Sequence, residues 1–218
     1  MRVSRINVFT LALVAVMALV AAAYYQSLPD PVPTHWNAAG EVDGWTAKPL
    51  GVWLLPLMAG GLSVLLFVLP AISPRGFRLD LARRAYDIVV FLVVAFLAVV
   101  EVLAFRAALG ETGELARALP IMIGFLFIGL GNYLGKFPKN FFVGIRTPWT
   151  LASDAVWNRT HRLAGWLFMA AGVLIVGNGF LAGPAWVLVI MIMFAALVPA
   201  VYSFFCYRRL HGFRDEAP

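Results

Sequence analysis

Long apolar runs alternate along the chain with short polar segments. Six runs, at about residues 6–25, 50–71, 86–108, 118–134, 163–182 and 185–206, are close to or above the ~20 residues a helix needs to cross hydrocarbon. Pro, Gly, Arg or Lys bounds each of them. The pattern predicts an all-α, polytopic integral membrane protein with about six transmembrane helices. Composition agrees: of 218 residues, 62% are hydrophobic and 13% charged, against about 45–50% and about 25% in a soluble domain. A water-soluble enzyme and a single-anchor protein are both excluded.

Charge adds an orientation. With the N-terminus inside, fourteen of the 17 Lys and Arg fall on the inner side: Arg2, Arg5, Arg75, Arg78, Arg83, Arg84, Lys136, Lys139, Arg146, Arg159, Arg162, Arg208, Arg209 and Arg214. Only Lys48, Arg106 and Arg117 fall outside, so the positive-inside rule places both termini in the cytoplasm. The net charge of +6 is thereby a matter of topology, and direct nucleic-acid binding is not expected. Arg2 and Arg5 before an apolar stretch ending in Ala21, Ala22 and Ala23 could also mark a signal peptide. The run exceeds the usual signal core of about 7–15 residues, and a retained helix is expected.

Three regions follow. Residues 1–72 form a two-helix N-terminal membrane domain with a structured outer loop at 26–49. Residues 73–112 hold the third span and its basic lead-in. Residues 113–218 form a three-helix region with a cytoplasmic loop at 135–162.

The outer loop is dense in turn chemistry. Pro29, Pro31 and Pro33 fix φ and favour an extended approach, while Asn37, Gly40, Asp43 and Gly44 supply Asx and glycine turns. His35, Asn37, Gly40 and Asp43 are the ligand-facing candidates. The alternative, that His35 and Asp43 bond backbone to hold the loop on the helices, is the favoured reading. His35, Glu41 and Asp43 could in principle meet a metal, but their spacing fits no strong ligand motif, and no metal is expected. Trp36, Trp45 and Trp53 read as interfacial anchors.

In the cytoplasmic loop, Pro148 pushes Thr147 into an extended conformation, and Gly144 offers a turn or a close approach. Ser153 or Thr150 is a plausible N-cap for a helix that runs on into the fifth span. That helix puts Trp157, His161 and Ala164 on one face and turns Arg159 and Arg162 elsewhere. Two readings stay open. Asn140, Gly144, Arg146, Thr147, Pro148, Trp149, Trp157 and His161 could present a surface to a partner. Alternatively the tryptophans pack at the interface while Arg146 and His161 satisfy loop carbonyls and helix ends.

No catalytic residues are assigned. The chain holds no GxSxG, HExxH or SxxK, and Ser153 and His161, eight residues apart, have no orienting carboxylate. The single cysteine, Cys206, permits neither an internal disulfide nor a Cys/His zinc site. An enzyme is not expected, nor a cofactor.

Three polar residues lie within spans. Glu101, about two-thirds across the third, is a functional candidate by its type and place; the alternative is a pairing with Arg106 or Arg117. Asn132 and Asn178, flanked by Gly131, Gly177 and Gly179, suggest close helix contact with amides bonding across it. Pro199 is expected to bend the sixth helix without breaking it.

Both loops also carry a resemblance. Leu28-Pro29-Asp30-Pro31-Val32-Pro33-Thr34-His35-Trp36-Asn37 followed by Gly40-Glu41-Val42-Asp43-Gly44 resembles the small uncharacterised membrane domain often found ahead of SdpI-type regions. Asn140-Phe141-Phe142-Val143-Gly144-Ile145-Arg146-Thr147-Pro148-Trp149-Thr150-Leu151, with Val156-Trp157 and Thr160-His161-Arg162, is similar to the signature of the SdpI immunity-protein family. Phe141 stands where tyrosine is expected.

The resemblance implies a multi-pass protein of the bacterial inner membrane that protects its producer from a secreted, membrane-active peptide toxin. It further implies possible signalling by recruitment of a cytosolic repressor. The outer loop would then face the toxin and the inner loop the repressor, with membrane lipids as the remaining partners. Two alternatives use other features: an ion-coupled transporter or exporter built on Glu101, and a non-catalytic lipid-binding membrane protein.

Overall fold

The structure is a computed structural model that describes residues 4–37, 41–74, 77 and 79–212. Gly40 of the outer loop and the topogenic Arg2, Arg75, Arg78 and Arg214 lie outside the described residues. The chain runs through α1 (Arg5–Tyr24), β1 (Val32–Trp36), β2 (Val42–Thr46), α2 (Lys48–Val68), α3 (Arg83–Ala108), α4 (Thr112–Leu134), α5 (Pro148–Ala152), α6 (Asp154–Phe180) and α7 (Trp186–His211). All of these helices except α5 are long and apolar enough to cross a membrane. The all-α, six-span expectation therefore holds, with one addition: the outer loop is a two-stranded antiparallel hairpin.

The helices begin where local chemistry favours it. The Ser4 hydroxyl accepts from the Asn7 amide at 3.2 Å and caps α1, satisfying one of the donors a helix start leaves orphaned. Pro49 stands in the first turn of α2, where its missing N–H costs nothing. Helix α7 continues through Pro199, which is buried.

Three apolar clusters line the first half of the bundle, and two of them tie α1, α2 and α3 together. One, at the hairpin end, joins Ala21, Leu28, Val32, Val52 and Phe105. The second, at mid-depth, joins Met17, Ala59 and Val94. At the far end a third combines Leu79, Tyr86 and Val90 with Phe137 from beyond α4, and the Tyr86 hydroxyl donates to the Leu66 carbonyl at 2.6 Å. There α1 also meets α3 through polar groups. With its amide turned to face the carboxylate, Asn7 donates to Asp87 Oδ1 at 3.1 Å. Arg83 Nε donates to the same oxygen at 3.0 Å.

The α4–α6 pair packs differently, backbone on backbone. A Cβ on Gly124 would stand 2.7 Å from the Gly172 carbonyl oxygen, and one on Gly172 would stand 2.6 Å from that of Gly124. Seven residues along, Gly131 and Gly165 repeat the reciprocal approach at 2.7 and 2.8 Å. Small residues at helix crossings in a bilayer allow this proximity, because dispersion between close backbones replaces the hydrophobic drive available in water. The glycine contact expected around residue 131 is thus present. The amides do not bond across it: Asn132 lies one step around the helix and is exposed, and Asn178 donates to the Pro184 carbonyl of its own following turn at 3.3 Å.

Candidate functional site

The two polar loops emerge at opposite ends of the bundle, since the chain passes from one to the other through an odd number of spans, α2, α3 and α4. At the first end, β1 and β2 pair with Val32 opposite Thr46, His35 opposite Gly44 and Trp36 opposite Val42. The Thr34 and Thr46 hydroxyls meet at 2.8 Å across the ladder. Val32, 2% exposed, seats the hairpin in the cluster of Ala21, Val52 and Phe105. Gly51 leaves room for it: a Cβ at Gly51 would stand 2.9 Å from that of Val32. Lys48 closes the base, its backbone N–H donating to Asp30 Oδ1 at 3.1 Å and its ammonium to the Leu28 carbonyl at 2.8 Å.

The side chains singled out in this loop bond to one another. His35 Nδ1 pairs with Asp43 Oδ1 across the strands, both side chains largely exposed, where the favoured reading had each bonding backbone. Gly44 makes the pairing sterically possible, because a Cβ there would lie 2.8 Å from that of His35. Asn37 faces Glu41 instead: its amide donates to Glu41 Oε2 at 3.1 Å and its carbonyl accepts from the Glu41 N–H at 3.0 Å. Glu41 is therefore engaged away from His35 and Asp43. The exposed surface of the hairpin presents His35, Asp43 and Trp45.

At the other end, residues 135–147 follow no regular element, so their backbone groups must find partners in side chains. Asn140, fully buried, supplies three: its Oδ1 accepts from the Phe142 and Val143 amides at 2.9 and 2.7 Å, and its Nδ2 donates to the Pro138 carbonyl at 2.9 Å. The Thr147 hydroxyl caps α5 in a reciprocal box with Thr150, accepting from the Thr150 amide at 3.2 Å while Thr150 Oγ1 accepts from the Thr147 amide at 2.9 Å. Ser153 caps α6, the helix that continues as the fifth span.

From that helix, Trp157, His161 and Ala164 rise on one buried face as their spacing predicts, while Arg159 and Arg162 are exposed. Trp157 Nε1 donates to the Phe137 carbonyl at 2.8 Å, and its ring stacks on His161 at 3.9 Å between centroids. His161 has both nitrogens committed. Nδ1 lies 2.8 Å from the Trp157 carbonyl and Nε2 lies 2.9 Å from the Ile145 amide nitrogen. A carbonyl can only accept and an amide N–H can only donate. The imidazole is therefore neutral, carries its proton on Nδ1 and accepts through Nε2. That arrangement has no spare lone pair for general-base chemistry. Gly144, at φ +112°, brings the chain over the ring, and any Cβ there would collide with His161.

Two further ties reach α7: the Thr147 hydroxyl meets Ser203 Oγ at 2.8 Å, and Ser153 Oγ meets His211 Nε2 at 2.9 Å. Lys139 pairs with Asp154 at 2.8 Å. Three of the expected partner-facing side chains, Asn140, Trp157 and His161, thus point inward and hold the loop. The face left to a partner comprises exposed Phe141, Arg146 and Pro148, with half-buried Trp149 packed edge-on against Phe204. Arg146 Nη1 donates to the Phe141 carbonyl, which fixes the guanidinium on that surface. Sequence reasoning offered Thr150 as an N-cap, where it is instead the N3 partner in the Thr147 box, and passed over Ser203 and His211. The box had a signal, two threonines three apart at a Pro-led helix start; Ser203 was visible only as a lone hydroxyl in an apolar run.

Glu101 is 1% exposed. The pairing considered for it is absent: Arg106 bonds Glu111, with Nε to Oε2 at 2.7 Å, and Arg117 donates to the Phe180 carbonyl at 3.3 Å.

Comparison with known proteins finds two family matches and one curated relative. Residues 136–203 match the SdpI/YfhL protein family, and residues 12–60 match a domain of unknown function, DUF1648. The chain is similar to the immunity protein SdpI of Bacillus subtilis (strain 168), with 24% identity over 211 residues that cover 95% of this chain and 99% of that protein. No solved structure matches. The SdpI/YfhL match thus covers the inner loop, α5, α6 and most of α7, and the DUF1648 match falls on α1, the hairpin and part of α2, within one chain of six candidate membrane spans.

Proposed function

We propose that this chain is an immunity protein of the bacterial inner membrane, protecting its producer from a secreted peptide that acts on membranes. The observation that carries the reading is the end-to-end similarity to the immunity protein SdpI, which spans both loops and all six helices. Both termini lie in the cytoplasm, as the charge distribution implies. The hairpin then faces outward and offers His35, Asp43 and Trp45 to the peptide, while Phe141, Arg146, Pro148 and Trp149 form the cytoplasmic surface a repressor would meet.

The arrangement suits recognition at two faces. Arg and Trp are the side chains most enriched at binding hot spots, and here both sit on a loop whose backbone is pinned from beneath by Asn140, Trp157 and His161. Communication between the faces requires two bundle arrangements with different affinities for the outer ligand.

The test is survival of a sensitive bacterium during challenge with a panel of secreted membrane-active peptides. Cells express the protein, the His35→Ala form, the Arg146→Ala form or empty vector, with membrane levels measured. Protection by the unaltered protein is expected, lost in His35→Ala and kept in Arg146→Ala if peptide capture is an outer-face event. No protection by any accumulating form overturns the proposal.

A further inference from the structure

Helix α3 begins with two arginines that go different ways. Arg83 turns inward and its Nε bonds the buried Asp87. Arg84, about 100° further round the helix, is exposed and makes no hydrogen bond or ion pair with the described residues. It shares one side of α3 with Ala85 and Ile88, three and four residues apart. Facing that side is the end of α4. The chain turns there through Gly135, the Lys136 N–H donating to the Tyr133 carbonyl at 2.9 Å. The turn folds the Lys136 ammonium over the Tyr133 ring, 4.3 Å from its centre, a cation–π placement. Neither that ammonium nor the Tyr133 hydroxyl has a hydrogen-bond partner among the described residues.

Arg84, Lys136 and Tyr133 line a single cleft of about 400 Å³ between α3 and the end of α4, with Leu81, Ala85 and Ile88 as its apolar wall. The polar groups are thus part of the wall itself, and Arg84 and Lys136 are both exposed. Among the described residues no acid lines the cleft; Asp87 is occupied by Arg83. The position is the end of the bundle away from the hairpin, where the spans Arg83–Ala108 and Leu115–Leu134 leave the hydrocarbon. Headgroups and acyl chains both reach it there, and Leu81, 68% exposed on the rim, presents an aliphatic side chain to the latter.

We infer that this cleft binds a phospholipid whose headgroup carries negative charge alone, of which phosphatidylglycerol is a simple example. Arg84 and Lys136 hold the phosphodiester, the Tyr133 hydroxyl donates to one of its oxygens, and the acyl chains pass along Ile88. A guanidinium offers phosphate a planar pair of donors, and an ammonium adds a point charge with three more. Basic pockets between spans suit anionic headgroups for this reason. Selectivity comes from repulsion: the ammonium of a zwitterionic headgroup would enter a site that holds two cations and no acid. Free phosphate offers the same oxygens but leaves Leu81 and Ile88 uncovered, so the lipid is preferred to the ion. This inference is independent of the immunity reading.

The experiment titrates the full chain, purified in a neutral detergent, with phosphatidylglycerol or phosphatidylcholine and counts bound lipid by native mass spectrometry. Inorganic phosphate serves as competitor. A saturable phosphatidylglycerol site is expected, with weaker binding of phosphatidylcholine and no displacement by the ion. Arg84→Gln combined with Lys136→Gln should weaken it about thirtyfold, roughly fivefold for each cation. Arg208→Gln combined with Arg209→Gln removes the same charge at the end of α7 and should leave the affinity unchanged. Ala85→Trp fills the cleft, keeps both cations and should abolish the site even if the double glutamine variant at Arg84 and Lys136 fails to accumulate. Equal affinity for phosphatidylcholine, an equal loss in the α7 variant, undiminished binding in Ala85→Trp, or displacement by inorganic phosphate would overturn the site.

Discussion

The two loops share a sequence character, short and rich in turn formers, yet they are stabilised in opposite ways. The hairpin carries its own backbone ladder and turns its hydrogen-bonded pair, His35 and Asp43, outward. The inner loop has no ladder and is held by side chains reaching up from α6. A histidine appears in each, 70% exposed in the first and 1% in the second. The same residue type decorates one loop and fastens the other, because a side-chain bond open to water contributes little while a buried bond withheld leaves a desolvated donor.

That contrast can be broken most sharply at Gly144. Gly144→Val meets both an unfavourable φ and the His161 ring, and should cost about 3 kcal/mol or more. The loss would be read as a lowered unfolding midpoint in detergent together with new proteolytic cleavage between residues 138 and 147. His161→Phe comes next. It keeps the stack on Trp157 and removes the acceptor for the Ile145 amide, for an expected loss of about 2 kcal/mol; an unchanged midpoint would mean the loop is not held through this ring. Trp157→Phe, which deletes the bond to the Phe137 carbonyl, should cost about 1–2 kcal/mol in the same assay. The smallest effect belongs to the hairpin: His35→Ala should change stability by less than about 1 kcal/mol. A large loss there would erase the difference between the two loops.

The spans were legible because hydropathy over about 20 residues is a strong signal, and the α6 face was legible because Trp157, His161 and Ala164 repeat at helical spacing. The hairpin was harder. Its strands are five residues each, and Pro33 and Gly44 interrupt their alternation, so turn chemistry announced a folded loop without announcing a ladder. Asn132 misled because a neighbour in sequence is 100° away on a helix: Gly131 faces α6 while Asn132 faces out. The solitude of Glu101 was illegible for a related reason. Arg106 is bent toward Glu111 by the turn that follows α3, a tertiary fact that spacing within one helix does not contain.

The bond from the Ile145 amide to His161 has a spectroscopic consequence. Nearly every protected amide in a protein donates to oxygen; this one donates to a ring nitrogen. With ¹⁵N labelling, both atoms of the N–H···N bridge become visible magnetic nuclei, and a through-bond coupling between them exists only while the loop is docked. The loop thus contains its own reporter. One cross-peak, followed as ligands are added on the far side of the membrane, would register in real time whether events at the hairpin are felt sixteen residues upstream of His161.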